Sequence, residues 1–105
     1  MISVVAHLKQ SQIQSITISG HAGSSKHDEL DMVCAQVSAC SVGCLNAINQ
    51  LTEDSCAIEM ESGWVSIQVN KNSETLQIIL KTLLIQCETI QFSNSDYIQI
   101  EKVEV

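Results

Sequence analysis

Apolar residues at Ile2, Val4, Ala6 and Leu8 alternate with other residues, and Ile16 and Ile18 resume the alternation after a Gln10-Ser11-Gln12 break. A period of two places one set of side chains on a single strand face, so these stretches predict a hairpin ending at Gly20. Residues 20 to 30 are small, polar and charged, the composition of a surface loop. From about Asp31 the period changes, and Val33, Val37, Cys40, Cys44, Ala47, Ile48 and Leu51 follow the three-four spacing of an amphipathic helix. Alternation returns at Cys56, Ile58 and Met60, and again at Val65, Ile67 and Val69 after a Ser62-Gly63 turn, which predicts a second hairpin. Ser73 is suited to cap a second helix with the buried stripe Leu76, Ile79, Leu80, Leu83, Cys87 and Ile90. Ile78 and Ile85 fall outside that stripe and hint at a partner surface, for which a second copy of the chain is an economical occupant. Tyr97 to Val105 forms a last strand whose apolar phase shifts between Ile100 and Val103, the mark of a bulge.

The resulting order, β-β-α-β-β-α-β, is dominated by hairpins. It predicts an α+β sandwich, a mostly antiparallel sheet of about five strands with two helices packed on it, forming one domain over residues 1–105. Aromatic residues are limited to Trp64, Phe92 and Tyr97, so the core is expected to be aliphatic.

Charge narrows the partners. Twelve acidic residues against five basic ones give a formal charge of −7, which leaves no cationic surface for a phosphate backbone and argues against nucleic acid. The N-terminal stretch lacks the basic start and long apolar run of a secretory signal, so a cytoplasmic location is expected. The apolar run around Ile78–Ile85 is interrupted by Lys81 and Thr82 and is too short to span a bilayer, so no membrane association is expected. Five cysteines in an unexported chain point to reduced thiols rather than a disulfide framework.

Candidate chemistry lies where the first hairpin gives way to the first helix. Gly20-His21-Ala22-Gly23 follows a strand, and thirteen residues after His21 stands Cys34, within Asp31-Met32-Val33-Cys34-Ala35. A thiol near a helix N-terminus meets unpaired backbone N–H groups and a partial positive charge, both of which favour the thiolate. His21 is suited to be its general base and to return a proton to a departing amine. Gly20 and Gly23 let the backbone approach a substrate closely. Asp31 is expected to cap the helix, which makes Cys34 the third helical residue, and is also a candidate to orient the His21 ring. Ser25 with Asp28 offers an earlier helix start, which would bury Cys34 in mid-helix. Ser38 lies one turn after Cys34 on the same face, in a supporting position. The other cysteines, Cys40, Cys44, Cys56 and Cys87, fall on apolar faces and read as packing residues. Cys40 and Cys44 also sit at a spacing that admits two zinc ligands, but paired CxxC knuckles are missing, so neither a metal nor a cofactor is expected.

In these residues the sequence resembles the ribosomal-processing cysteine proteases called Prp. The resemblance rests on Gly20-His21-Ala22-Gly23, on Asp31-Met32-Val33-Cys34-Ala35 with Ser38, and on the order of elements over essentially the full length. Glu29 departs from it, standing two residues before the aspartate where the family usually has glycine. The resemblance implies a homodimeric endopeptidase that removes a short N-terminal extension from large-subunit ribosomal protein twenty-seven. By the motif, His21 and Cys34 map onto the catalytic pair and Asp31 and Ser38 onto supporting positions; Gly20, Ala22 and Gly23 beside His21 are expected to bind substrate. The alternative from a different class is a binding or assembly module for a ribosomal protein that uses the same groove without turnover.

Overall fold

The computed structural model describes residues 1–20 and 28–105, with side chains from Met32 onward in the second stretch. Its elements are β1 (Ile2–Lys9), β2 (Gln12–Ser19), α1 (Asp28–Leu51), β3 (Cys56–Glu61), β4 (Trp64–Val69), α2 (Glu74–Ser93) and β5 (Ile98–Glu104). The strands form one sheet in the order β3-β4-β2-β1-β5. The two hairpins and the β2–β4 contact are antiparallel, whereas β5 lies parallel to β1 at one edge. The α+β sandwich expected from the periodicity is therefore the fold observed.

Alternation explains which sheet face is covered. Ile2, Val4 and Ala6 of β1, Ile13, Ile16 and Ile18 of β2, Ile67 of β4 and Ile98 of β5 are buried in one cluster with the helices. The helices contribute Val33, Val37, Cys44 and Ile48 from α1 and Leu76, Leu80, Leu83, Leu84 and Cys87 from α2. The opposite face carries Ser3, His7, Ser15, Thr17 and Ser66, which are only partly buried. By length and composition Met32–Leu51 of α1 is apolar enough to cross a membrane, a stretch the α2 run had overshadowed, and one third of it is buried within this fold.

The expected irregularity exists but in another strand. β5 pairs with β1 without interruption from Ile98 opposite Ile2 to Glu104 opposite Leu8. Val103 lies opposite His7, on the open face, and Lys102 on the covered side reaches Glu88 of α2 at 3.6 Å. An edge strand tolerates this because one of its sides meets solvent. The bulge sits instead in the first hairpin, where His7 faces Ser15 but Leu8 faces Ile13, leaving Gln14 as the extra residue. That residue brings Ile13 onto the same face as Ile16 and Ile18, which strict alternation would not do.

β4 covers β2 only from Ser15 to Ser19, so another partner serves the backbone of Ile13. Gln77 of α2 supplies it: its Oε1 accepts the Ile13 N–H at 2.8 Å and its Nε2 donates to the Ile13 carbonyl at 2.9 Å. The buried amide thus replaces a missing strand neighbour and fixes α2 to the sheet. Ser73 caps α2 as expected, its hydroxyl accepting from the Leu76 N–H at 3.1 Å.

Candidate functional site

The helix that carries Cys34 begins at Asp28, three residues before the expected cap, because the charged stretch continues the helix instead of preceding it. Cys34 is consequently the seventh helical residue, and its backbone N–H belongs to the i to i−4 ladder. Macrodipole effects fade within the first turn, so the helix-terminus account of Cys34 reactivity does not hold. Asp31 stands inside the helix and is not its N-cap. What remains of the argument is direction, since every helical Cα–Cβ bond tilts toward the N-terminus and carries the thiol with it.

α1 presents Cys34, Val37, Ser38, Ser41 and Val42, at the three-four spacing of one helix face, to a pocket of about 130 Å³. Its apolar floor is built by the sheet. Met60 pairs with Val65, Val65 with Ile18, and Ile2 comes from the neighbouring strand, so four apolar side chains lie side by side. The rim comprises Ser19 and Gly20 from the end of β2 and Glu61, Gly63 and Trp64 from the β3–β4 turn. Cys34 is 7% exposed at this pocket. Ser41 is buried and donates its hydroxyl to the Val37 carbonyl at 2.7 Å, which satisfies it within the helix and leaves the exposed Ser38 as the hydroxyl nearer to solvent.

A glycine contact holds the rim together. Gly20 has φ +140 and a Cβ there would lie 2.7 Å from both the Ile2 Cα and the Met1 carbonyl oxygen, so only glycine fits between the strands. On its other side the Gly20 N–H donates to the Gly63 carbonyl at 3.1 Å. Gly63, at φ +73, approaches so closely that a Cβ would fall 2.8 Å from the Gly20 carbonyl oxygen. The backbone that leads into His21 is therefore gripped on both sides by main chain.

Of the residues the sequence singled out, Cys34, Ser38 and Gly20 converge on this pocket. His21, Ala22 and Gly23 lie outside the described residues, as does most of the loop, and so does the side chain of Asp31. Sequence reasoning did not assign Met60, Glu61, Gly63 and Trp64 to the site. Their only signal was the Ser62-Gly63 turn, which marks a hairpin but not where its tip lands.

None of the five cysteines is in a disulfide. Burial pushes the Cys87 thiol up to about 12, helped by the neighbouring Cys40, Cys44 and Glu88, and raises Cys44 to about 11, with Cys56 adding to the effect. These two are protonated packing thiols at neutral pH. Among the described residues no group of three or more His, Cys, Asp or Glu is arranged to hold a metal ion.

The family model of the cysteine protease Prp matches residues 1–99. A Staphylococcus aureus protein named ribosomal processing cysteine protease Prp is 30% identical over 94 residues, covering 87% of this chain and 88% of its own. The crystal structure of an essential S. aureus ribosomal processing protease Prp with a covalently linked product peptide superposes with a TM-score of 0.87 at 28% identity, covering 97% of this chain and 99% of that one. The same protease with a substrate peptide gives a TM-score of 0.83 at 27% identity over the same shares. A Streptococcus mutans protein, at 23% identity and a TM-score of 0.84 over 100% of this chain and 96% of its own, shares the fold.

Proposed function

We propose, from the premise that the chain belongs to the cysteine protease Prp family, that it is the endopeptidase that removes the N-terminal extension of large-subunit ribosomal protein twenty-seven in the cytoplasm. The observation that carries this reading is Cys34 on the wall of an apolar pocket whose rim includes Gly20, the residue immediately before His21. In the proposed reaction His21 takes the Cys34 thiol proton, becoming imidazolium, and the thiolate adds to the scissile carbonyl carbon, forming a C–S bond. The C–N bond then breaks as the departing amine takes a proton from the His21 imidazolium, leaving a thioester. Water attacks the thioester while His21 accepts its proton, and breakage of the C–S bond releases the carboxylate product and restores the thiol. The apolar floor of Ile2, Ile18, Met60 and Val65 suits a large hydrophobic side chain beside the scissile bond.

The reading includes a homodimer. Its support is a line of exposed apolar residues on α2, Ile78 at 61%, Ile85 at 60% and Phe92 at 91% exposure, spaced seven residues apart along one side of the helix. Light scattering should then report a particle of two chains.

The test is cleavage of a peptide carrying the extension, followed by mass spectrometry. Cys34→Ala and Cys34→Ser should each abolish cleavage in folded protein, and His21→Ala should lose activity comparably. Turnover retained by both Cys34 variants would overturn the assignment.

A further inference from the structure

β3 stands at the end of the sheet order, and among the described residues it pairs only with β4. The register decides which of its main-chain groups are left over. Ser62-Gly63 joins Glu61 to its opposite residue Trp64 as a two-residue hairpin loop, and the pair that closes such a loop exchanges both main-chain hydrogen bonds. Alternate residues share that state, so Glu61, Glu59 and Ala57 turn their N–H and carbonyl groups to β4 while Met60 and Ile58 turn theirs outward. The other end of the hairpin has the same phase, because the Ser55 carbonyl accepts from the Asn70 N–H at 2.8 Å. Among the described residues no main-chain group bonds to the outward edge at Ile58 and Met60.

The same alternation sets the side chains. Ile58 is opposite Ile67, which is fully buried, so Ile58 and Met60 lie on the covered face. They are nonetheless 38% and 59% exposed, so the helix layer leaves them open. Edge strands are commonly blunted by a proline, a lysine or a bulge. β3, with the sequence Cys-Ala-Ile-Glu-Met-Glu and an unshifted register against β4, has none of these. Met60 also lines the Cys34 pocket, which makes the open edge continuous with the site. Two occupants suit such an edge, a second copy of β3 or an extended peptide. Antiparallel pairing with a second β3 would gather Glu59 and Glu61 of both chains on one face, with like charges across from each other. A peptide entering the Cys34 pocket meets no such obstacle.

We infer that the outer edge of β3 docks the substrate: the bound peptide adds to the sheet as a further strand, its main chain bonded to Met60 and Ile58, and runs on into the Cys34 pocket. The inference deepens the protease reading and rests on it for the identity of the occupant. Main-chain bonding supplies affinity whatever the sequence, and pockets for alternate side chains supply specificity. Peptide residues directly opposite Met60 and Ile58 place their side chains beside these two on the covered face. The substrate class is therefore an extended peptide with apolar residues two apart on the side of the scissile bond that lies along β3.

The experiment uses the peptide carrying the extension and a set of its variants, each N-methylated at one main-chain nitrogen, bound to Cys34→Ala so that no turnover intervenes. Over the stretch along β3, methylation at every second residue should weaken binding by about tenfold, the loss of one hydrogen bond, and methylation between them should change it by less than about threefold. Hydrogen exchange gives a readout on the protein, since the Ile58 and Met60 amides should slow when peptide is bound. Ile58→Pro removes an outward N–H and none from the β3–β4 ladder, a change confined to a strand edge. It should bind the peptide about tenfold more weakly than Ile58→Ala, which keeps the N–H. If the proline variant failed to fold by circular dichroism, the methylation scan would decide. Losses without a period of two, or unchanged exchange at Ile58 and Met60, would overturn the docking inference and leave the protease reading standing. A change from two chains to one in Ile58→Pro, seen by light scattering, would show that a second copy holds the edge and would overturn it likewise. Alternating losses with a peptide that the parent chain does not cleave would overturn the protease reading and keep the docking edge, whereas a peptide neither bound nor cleaved would overturn both.

Discussion

Replacing Gly63 by alanine tests whether the β3–β4 turn helps to set the site. The new methyl meets two obstacles. A left-handed backbone at φ +73 costs an L-residue about 1–2 kcal/mol. The methyl would also sit 2.8 Å from the Gly20 carbonyl oxygen, a main-chain atom that cannot rotate away as a side chain would. Relief requires the hairpin tip to move back by roughly half an ångström or the Gly20 peptide to turn, and displacements of about 1 Å near reacting groups cost up to about a hundredfold in rate. We therefore expect Gly63→Ala to lower the melting temperature by roughly 5–10 °C and to lower kcat/KM by at least about tenfold, with the loss mostly in kcat. Asn tolerates the left-handed region but still carries a Cβ, so Gly63→Asn should recover part of the stability and little of the activity. Circular dichroism melts and peptide-cleavage kinetics give the two readouts. If Gly63→Ala melted within 1 °C of the parent and cleaved peptide within twofold, the close approach would have no role in positioning the site.

Gln77→Ala should destabilise the fold by about 2–4 kcal/mol, because it orphans the buried N–H and carbonyl of Ile13. A urea titration measures this, and a loss below about 1 kcal/mol would show that the amide is replaceable. The buried thiols predict an alkaline weakness. Their folded pKa values of about 11 for Cys44 and about 12 for Cys87 lie above the ordinary 9.0. The stability held with both states protonated is thus fully present below pH 9 and lost as pH rises toward 11–12, since the unfolded chain gives up these protons first. Denaturant midpoints should fall across that window by roughly 1.4 kcal/mol of stability per pH unit for each thiol, and Cys87→Ala should flatten the slope; an unchanged slope would contradict the assignment.

Most of the fold was legible because the core is repetitive. Period-two and three-four spacings identified every element, and the cap at Ser73 fell where a hydroxyl precedes an apolar stripe. The failures share a cause, namely partners distant in sequence. The shift at Ile100 and Val103 resembled a bulge because nothing local reveals that β5 pairs in parallel with β1 at a sheet edge, where Val103 rests on the open face. Gln77 lies in the buried phase three residues before Leu80, and no local pattern marks its role. Its function depends on a strand end that β4 leaves uncovered, 64 residues away in the chain. The start of α1 was misjudged for a different reason, since a charged first turn has no apolar face to announce it.

The site divides along the same line. Cys34 and Ser38 could be read together because one helical turn separates them, and Gly20 because it ends a strand. The opposing half of the pocket could not, because it depends on the β2–β4 register, which sets Ser19 against Trp64 and Ile18 against Val65. That register swings the second hairpin across from the thiol and makes Met60, Glu61 and Trp64 neighbours of a residue about 30 positions earlier. It also accounts for why one cysteine of five is a candidate nucleophile. Cys44 and Cys87 face the interior between the helices, where desolvation holds them protonated, whereas Cys34 faces the gap between α1 and the hairpin tip. Mean burial does not separate them, since Cys34 and Cys44 are each 7% exposed. The difference lies in what each thiol borders: for Cys44 a groove shared with Cys40, Ile78 and Ile79 of the two helices, and for Cys34 a pocket rimmed by Gly20 and the β3–β4 hairpin tip.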